Sequence, residues 1–425
     1  MKRTKNFYLY AAKIIAVALG LFLCLSAAGV FETGRAQTLR AEDEPNGIQA
    51  QIDSAQSGDT VTLTEDCAVS LNVGADKDIT LDLAGYEISA TLTNGGTLTL
   101  TDSAGNGKIA VTNGSATEAT TAAVINNGAL TVLGGVISSQ IINASSASNA
   151  VALVNNGTVK SISGGKLYAE HSGKGYATAL RNSADSAIVQ SISGGEFSAL
   201  VTNATAGNTH LAYGIFNEKG SISEISGGRI TGKTTATQWA FGILNSANIG
   251  TISGGEFISV IEHSKNTPNA IALSNDKTVN AITGGTFYAV SSTPSGSTYA
   301  VRSRNAAGVI KAVTGGAYYV NKTAESNYLF AASHGTISLG AGYSLSAASQ
   351  TTQYRYALSS GETYSEEYLE GDNVMTGRVK NADGETVKEY VLTGTERGDA
   401  ASIGDRLYAS VSDAVAASSE GDTVK

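Results

Sequence analysis

Two cysteines, three prolines, one tryptophan and four histidines in 425 residues set the first limits. Cys24 falls in an apolar leader, so a processed chain keeps only Cys67 and has no internal disulfide. Its stability must then come from a packed core. Only 15% of the residues are charged, and 42% are hydrophobic, supplied largely by Ala, Val, Ile and Leu. Disorder usually brings high charge and few β-branched residues, so it is excluded. With 49 glycines against three prolines, the composition suits short strands separated by small turn residues. His171, His210, His263 and His334 read as single loop residues without ligand spacing, which argues against a zinc site. Nucleophile elbows, phosphate loops, nucleic-acid motifs and the Asp-rich nonapeptide that binds calcium are all missing.

The N-terminus is a targeting segment. Lys2, Arg3, Lys5 and Lys13 precede an apolar run from Ile14 to Phe31, the order of a secretory signal peptide. Cleavage is expected after Ala28 or Ala36, and Leu23 before Cys24 disfavours a lipoprotein site. The alternative is an uncleaved anchor, since the run is nearly long enough to span a bilayer. Loss of residues 1–36 removes a net +4 and takes the charge from −9 to about −13, against binding nucleic acid by bulk charge.

A repeat dominates the remainder. Gly-Gly pairs recur with first glycines at 134, 164, 194, 227, 254, 284 and 315, after an earlier pair at Gly95. Two residues before each stands Val132, Ile162, Ile192, Ile225, Ile252, Ile282 or Val313, and five before stands Ala129, Val159, Val189, Ile222, Ile249, Val279 or Ile310. Three residues after come Ile137, Leu167, Phe197, Ile230, Phe257, Phe287 and Tyr318. Upstream, Ala-x-[Ala/Gly]-[Leu/Ile]-x-Asn ends at Asn155, Asn182, Asn217, Asn245 and Asn275, with a looser version at Asn126; the last coil has Ser303 in that column. Short strands repeated at this interval bury their apolar faces only by stacking coil on coil. The expected fold is all-β, a right-handed parallel β-helix with coils of ~30 residues, glycine corners and an asparagine ladder.

Flanking segments modify this plan. Asn46-Gly47 opens a short helix presenting Ile48, Ile52 and Ala55 on one face, a cap for the first coil. Strands are expected at Thr60–Thr64, Ile79–Leu83 and Thr97–Thr101, and Ile337–Leu345 reads as a degenerate last coil. The expected domains are a signal peptide at 1–36, the β-helix at 41–350, a linker with a hairpin around Asp383-Gly384 at 351–399, and the start of a second module at 400–425. The last call rests on Val411, Val415 and Gly421-Asp422-Thr423-Val424, which repeat the spacing of Ile48, Ile52 and Gly58-Asp59-Thr60-Val61.

The Gly58–Val61 cap segment, Ile79-Thr80-Leu81-Asp82-Leu83, Leu98-Thr99-Leu100-Thr101-Asp102-Ser103 and the Ser-Gly-Gly-x-Phe coils carry a resemblance. The chain is similar to the pectate-lyase-like right-handed parallel β-helix superfamily, specifically to repetitive surface or adhesin-type proteins of Gram-positive bacteria. The likeness covers about residues 45–350. It implies either a non-catalytic adhesive or display rod, or a polysaccharide lyase or glycoside hydrolase on the same fold.

Glycoside cleavage needs two converging carboxylates. Glu196 and Glu256 follow Gly-Gly pairs two coils apart, but Arg229 lies between them and Lys166 flanks them, an alternation expected of an exposed charge ladder. Asp82 and Asp102 stand beside turns, where Asp usually bonds local backbone. Tyr168, Tyr288 and Tyr319 follow the inward aromatic column and are candidate ligand contacts on an outer face. Beside the Asn column, Ala150 and Ala152, Ala212 and Gly214, and Ala240 and Gly242 read as flat outward positions. No catalytic residue, metal or other cofactor is assigned. The expected partners are polysaccharide or the surface of a host or neighbouring cell, with no nucleic acid and no membrane after signal removal. The expected location is extracellular, attached to the cell surface through a region beyond residue 425.

Overall fold

In the computed structural model the described residues are 47–338, apart from 115–119, 203–209, 236–238, 263–267, 293–295 and 323–325, together with strands and short stretches between 344 and 424. The chain divides into two units, Met1–Glu44 and Pro45–Lys425; the first, on which the expected signal segment falls, lies outside the described residues.

The strands follow three parallel ribbons. The first runs Thr60–Thr62, Asp78–Asp82, Thr97–Thr101, Ala129–Val132, Thr158–Ile162 and on through Thr278–Ile282 to Thr336–Ser338. The second holds Lys108–Asn113, the opening halves of Val136–Asn155 and Lys166–Asn182, then Glu196–Thr202, Arg229–Thr234, Glu256–Ile261, Thr286–Ser291 and Ala317–Lys322. The third holds Leu92–Asn94, Thr120–Asn126, the closing halves of those two long strands, and His210–Asn217, Ala240–Asn245, Asn269–Asn275, Ser297–Ser303 and Ser326–Ala332. The chain is therefore a parallel β-helix whose coils are stacked in the register of its sequence repeat.

Like residues stack because each is one coil above its equivalent. Ile137, Leu167, Phe197, Ile230, Phe257, Phe287 and Tyr318 are all 0% exposed. The rings of Phe257 and Phe287 stack at 4.6 Å, and those of Phe287 and Tyr318 at 5.1 Å. At the corner, the two glycines answer different demands. Gly165 has φ 77°, which an L side chain rarely adopts, while a Cβ on Gly164 would sit 2.3 Å from the Leu133 carbonyl oxygen.

The asparagine ladder is continuous and begins one coil earlier than the sequence motif, at Asn94. Each Nδ2 donates to the next Oδ1, from Asn94 to Asn126 (2.7 Å), Asn155 (2.7 Å), Asn182 (2.8 Å), Asn217 (3.0 Å), Asn245 (2.7 Å) and Asn275 (2.7 Å). Every one of these side chains is buried. Ser303 stacks on Asn275 and instead donates to the Gly308 carbonyl.

At the start, Ile48–Ser54 is helical, with Ile52 fully buried against the first coil and Ala55 9% exposed. Three sequence expectations need correction. Ala129 pairs with Thr158, so Leu130, not Ala129, fills the core below Val159; a register shift between Val159 and Ser161 absorbs the difference. Ile337 continues the first ribbon in parallel with Ile310, but Leu345 lies in Ser344–Ser346, which turns back antiparallel on Thr336–Ser338 instead of completing the expected coil. The histidines His171 and His210 are strand residues at 0% exposure, not loop residues. His334 is exposed, with Nδ1 3.0 Å from the Arg304 carbonyl, and His263 lies outside the described residues.

Towards the C-terminus, Thr363–Leu369, Val374–Lys380 and Thr386–Thr393 form an antiparallel meander whose first strand pairs with Ala317–Lys322. The Gly421 turn copies the Gly58 turn. Asp422 accepts from Ser419 N at 2.7 Å as Asp59 does from Gln56 N at 2.8 Å, and the glycines have φ 92° and 88°. Val411 and Val415 are more than half exposed, whereas Ile52 is buried.

Candidate functional site

The solenoid is not a plain prism. The closing half of each second-ribbon strand and the opening half of the next third-ribbon strand press together into a thin arch that projects beyond the main core. In places only small residues separate the two backbones. A Cβ on Gly232 would meet the Phe241 carbonyl oxygen at 2.0 Å, and Ser259 Oγ donates to the Ala240 carbonyl while accepting from Ile271 N. Ala169, Ala177, Ala199 and Ala212 pack with Ile141 and Val201 in a cluster of their own there.

This arch overturns the expectation of flat outward alanines. Ala150, Ala152, Ala212 and Ala240 are 0% exposed, because alternation along the strand sends their neighbours outward instead. In each third-ribbon strand one residue (Ala152, Ala179, Gly214, Gly242, Ala272, Ala300) drops out of the pairing. The backbone bends at that point, and the outward side chains on either side of it converge in a concave corner between arch and body. Tyr213 stacks on Phe216 at 5.0 Å, and Arg302 lies 4.6 Å over the Tyr299 ring.

Two stacked columns therefore line the corner. One reads Ala122, Val151, Thr178, Tyr213, Phe241, Ile271, Tyr299 and Tyr328; the other reads Ile125, Val154, Arg181, Phe216, Leu244, Ser274, Arg302 and Ala331. From Tyr213 upward the corner is filled. Tyr213, Phe241 and Ile271 are at most 5% exposed, and the Tyr213 and Phe241 rings stack at 5.2 Å. Burial, then the neighbouring Tyr176, pushes the Tyr213 hydroxyl well above its ordinary pKa. Tyr176, Phe216, Trp239 and Tyr328 keep part of their surface open.

Below Tyr213 the first column is small, with Thr178, Val151 and Ala122, and a cleft of about 460 Å³ opens at the base of the arch. That volume falls within the ~300–1,000 Å³ usual for small-ligand sites. Val111, Ala122, Ile125 and Val154 give it apolar walls, and Thr121, Asn113, Asn156 and Arg181 give it polar ones. Among the described residues Arg181 is the only ionisable one lining it, and its guanidinium is held by Glu218 at 2.7 and 2.8 Å. Further along the rim Asp276 and Arg304 form a second ion pair.

The residues singled out from sequence lie elsewhere. Lys166, Glu196, Arg229 and Glu256 do line one exposed edge, as Lys166–Glu196 (3.1 Å) and Arg229–Glu256 (2.6 Å) ion pairs. Glu196 and Glu256 are thus separated by Arg229 and each committed to a cation. Asp82 accepts from Ala84 N and Ser103 N, and Asp102 accepts from Gly85 N and Gly107 N. Burial raises the Asp82 pKa, but bonds from Ser103 and Ala84 outweigh it and hold the carboxyl below its ordinary value. Tyr288 and Tyr319 are neighbours at 6.1 Å, while Tyr168 is separated from them by Ser198, Thr231 and Ile258 and donates to Glu170 at 2.7 Å. Among the described residues no three of His, Cys, Asp and Glu come together to hold a metal ion.

The corner columns were missed because the repeat was read for its constant positions. The variable residue between the alanines of Ala-x-[Ala/Gly] holds the signal: it is Tyr213, Phe241 and Ile271 in successive coils, too apolar for an ordinary solvated face. Arch, corner and cleft define a parallel β-helix with a lateral groove. No family model, curated protein or solved structure matches the chain.

Proposed function

We propose that the protein is a non-catalytic module of the cell exterior, a rigid rod that contacts glycan through the cleft at the base of its arch. The observation that carries this reading is the cleft at the base of the arch, at the end of the first corner column where Tyr213, Phe241 and Ile271 give way to Ala122, Val151 and Thr178. Threonine and asparagine side chains on its walls suit sugar hydroxyls, and the apolar walls suit the C–H face of a sugar ring. Arg181 is neutralised by Glu218, which favours an uncharged saccharide over an acidic one. Bond cleavage would need paired carboxylates with separated pKa values, and among the described residues none line the cleft. The basic and apolar leader supports export, and the rod form suits display from a surface. A screen of the purified protein against neutral and acidic polysaccharides, reading both retention and release of reducing or unsaturated ends, tests the proposal. Retention of a neutral glycan without product supports it. Turnover abolished by replacing Glu196, Glu256, Asp82 or Asp102 would establish the lyase or hydrolase reading instead.

A further inference from the structure

The arch carries a buried pair of ionisable groups that ligand contact does not use. His171 and His210 lie in its interior in successive coils, each 0% exposed, with His210 paired above Gly175. His171 Nε2 lies 3.1 Å from Ser148 Oγ, and its Nδ1 has no hydrogen-bond partner. The fit is tight: a Cβ on Gly175 would meet His171 Nε2 at 2.7 Å. Ser148 and Ser172, the next residue along the strand, are buried with His171. The described charged groups on the surrounding strands are paired with one another or with neutral donors. Glu170 takes the Tyr168 and Gln140 donors, Lys166 pairs with Glu196, Arg229 with Glu256, Lys233 with Glu262, and Arg181 with Glu218. Among the described residues no carboxylate bonds the His171 ring, so a proton taken up by it meets no described counter-charge.

We propose that His171, buried beside His210, makes the arch acid-labile: it stays closed while the His171 ring is neutral, and proton uptake opens it locally while the body of the solenoid keeps its coils. Burial, then the charge of His210, lowers the His171 pKa from 6.5 to about 4. The opened arch therefore takes up its proton near pH 6.5 and the closed arch only near pH 4. Closure is undisturbed above pH 6.5 and weakens progressively as pH falls towards 4. From His171 alone, the opening equilibrium rises roughly 20-fold between pH 7 and pH 5.

Native-state hydrogen exchange at pH 7, 6 and 5, corrected for intrinsic rates, tests this. Amides of Glu196–Thr202 and His210–Asn217 should lose about 20-fold protection by pH 5, while those of Ser221–Ile225 in the body should hold theirs. A His171→Leu, His210→Leu double variant should show no such dependence. Constant protection in the wild type, equal loss in arch and body, or the same pH profile in the double variant would overturn the proposal. Should the double variant not fold, NMR titration of the wild-type imidazoles decides: a ring with a midpoint near 4 supports it, and all rings titrating near 6.5 refute it.

Discussion

Replacing Asn217 by alanine removes one rung from the middle of a ladder that has no solvent to fall back on. Asn217 accepts from Asn182 Nδ2 at 3.0 Å and donates to Asn245 Oδ1 at 2.7 Å and to the Asn248 carbonyl at 3.0 Å. Asn182 Nδ2 has other acceptors, the Lys219 and Ser221 carbonyls, so its loss is partly absorbed. The Asn245 oxygen keeps only a long contact from Ala247 N at 3.4 Å, and its neighbourhood is fully buried. Two bonds at about 1 kcal/mol each, plus about 1–2 kcal/mol for an oxygen left dry, give a loss of roughly 3–4 kcal/mol. Urea unfolding followed by far-UV circular dichroism, with exchange protection of the flanking first-ribbon strands, reads this directly. Because repeat stability is a sum over neighbouring coils, the protection loss should centre on the coils holding Asn182 and Asn245 and fade with distance. A cost below about 1 kcal/mol would mean that the ladder decorates the solenoid rather than holding it.

At the corner glycine Gly165, alanine meets both a positive φ and the Gly135 carbonyl oxygen at 2.8 Å, so Gly165→Ala should cost about 1–3 kcal/mol by thermal unfolding; a neutral result would remove the steric account of the Gly-Gly motif. The Arg229–Glu256 pair is about half exposed, so Glu256→Gln should cost about 0.2–1 kcal/mol and less still in high salt; a loss several times larger would point to a role beyond fixing register. Asp82 contributes stability above the ordinary carboxyl value of 3.8 that is lost as pH falls through its lower folded value. Thermal midpoints should therefore drop less below pH 4 in Asp82→Asn than in the wild type, and parallel curves would contradict the local bonds to Ala84 and Ser103.

Much of the fold was legible because a solenoid repeats its constraints. Ile192, Ile225 and Ile252 occupy equivalent positions, so a column that is pure in sequence is a column in space. Asn94 escaped notice because its coil lacks the alanines that mark the later motif, although its amide bonds Asn126 at 2.7 Å like any other rung. Leu130 was displaced by one because a coil can lose a residue at a bulge without disturbing its neighbours. The candidate site was far less legible. It depends on a backbone bend that turns strand neighbours such as Tyr213 and Phe216 towards one another, and strict alternation cannot reveal that convergence. The arch likewise hides His171 and His210, which are both buried although 39 positions apart in sequence.

Filling the cleft tests the functional account most directly. Ala122→Tyr and Val154→Phe copy into the lower coils the residue types that close the corner at Tyr213 and Phe216. With a neutral glycan retained by the wild type, calorimetric titration of each variant should show affinity weakened at least about tenfold, a loss of about 1.4 kcal/mol, with exchange protection of the body unchanged. Undiminished affinity in both folded variants would contradict the cleft as the contact site.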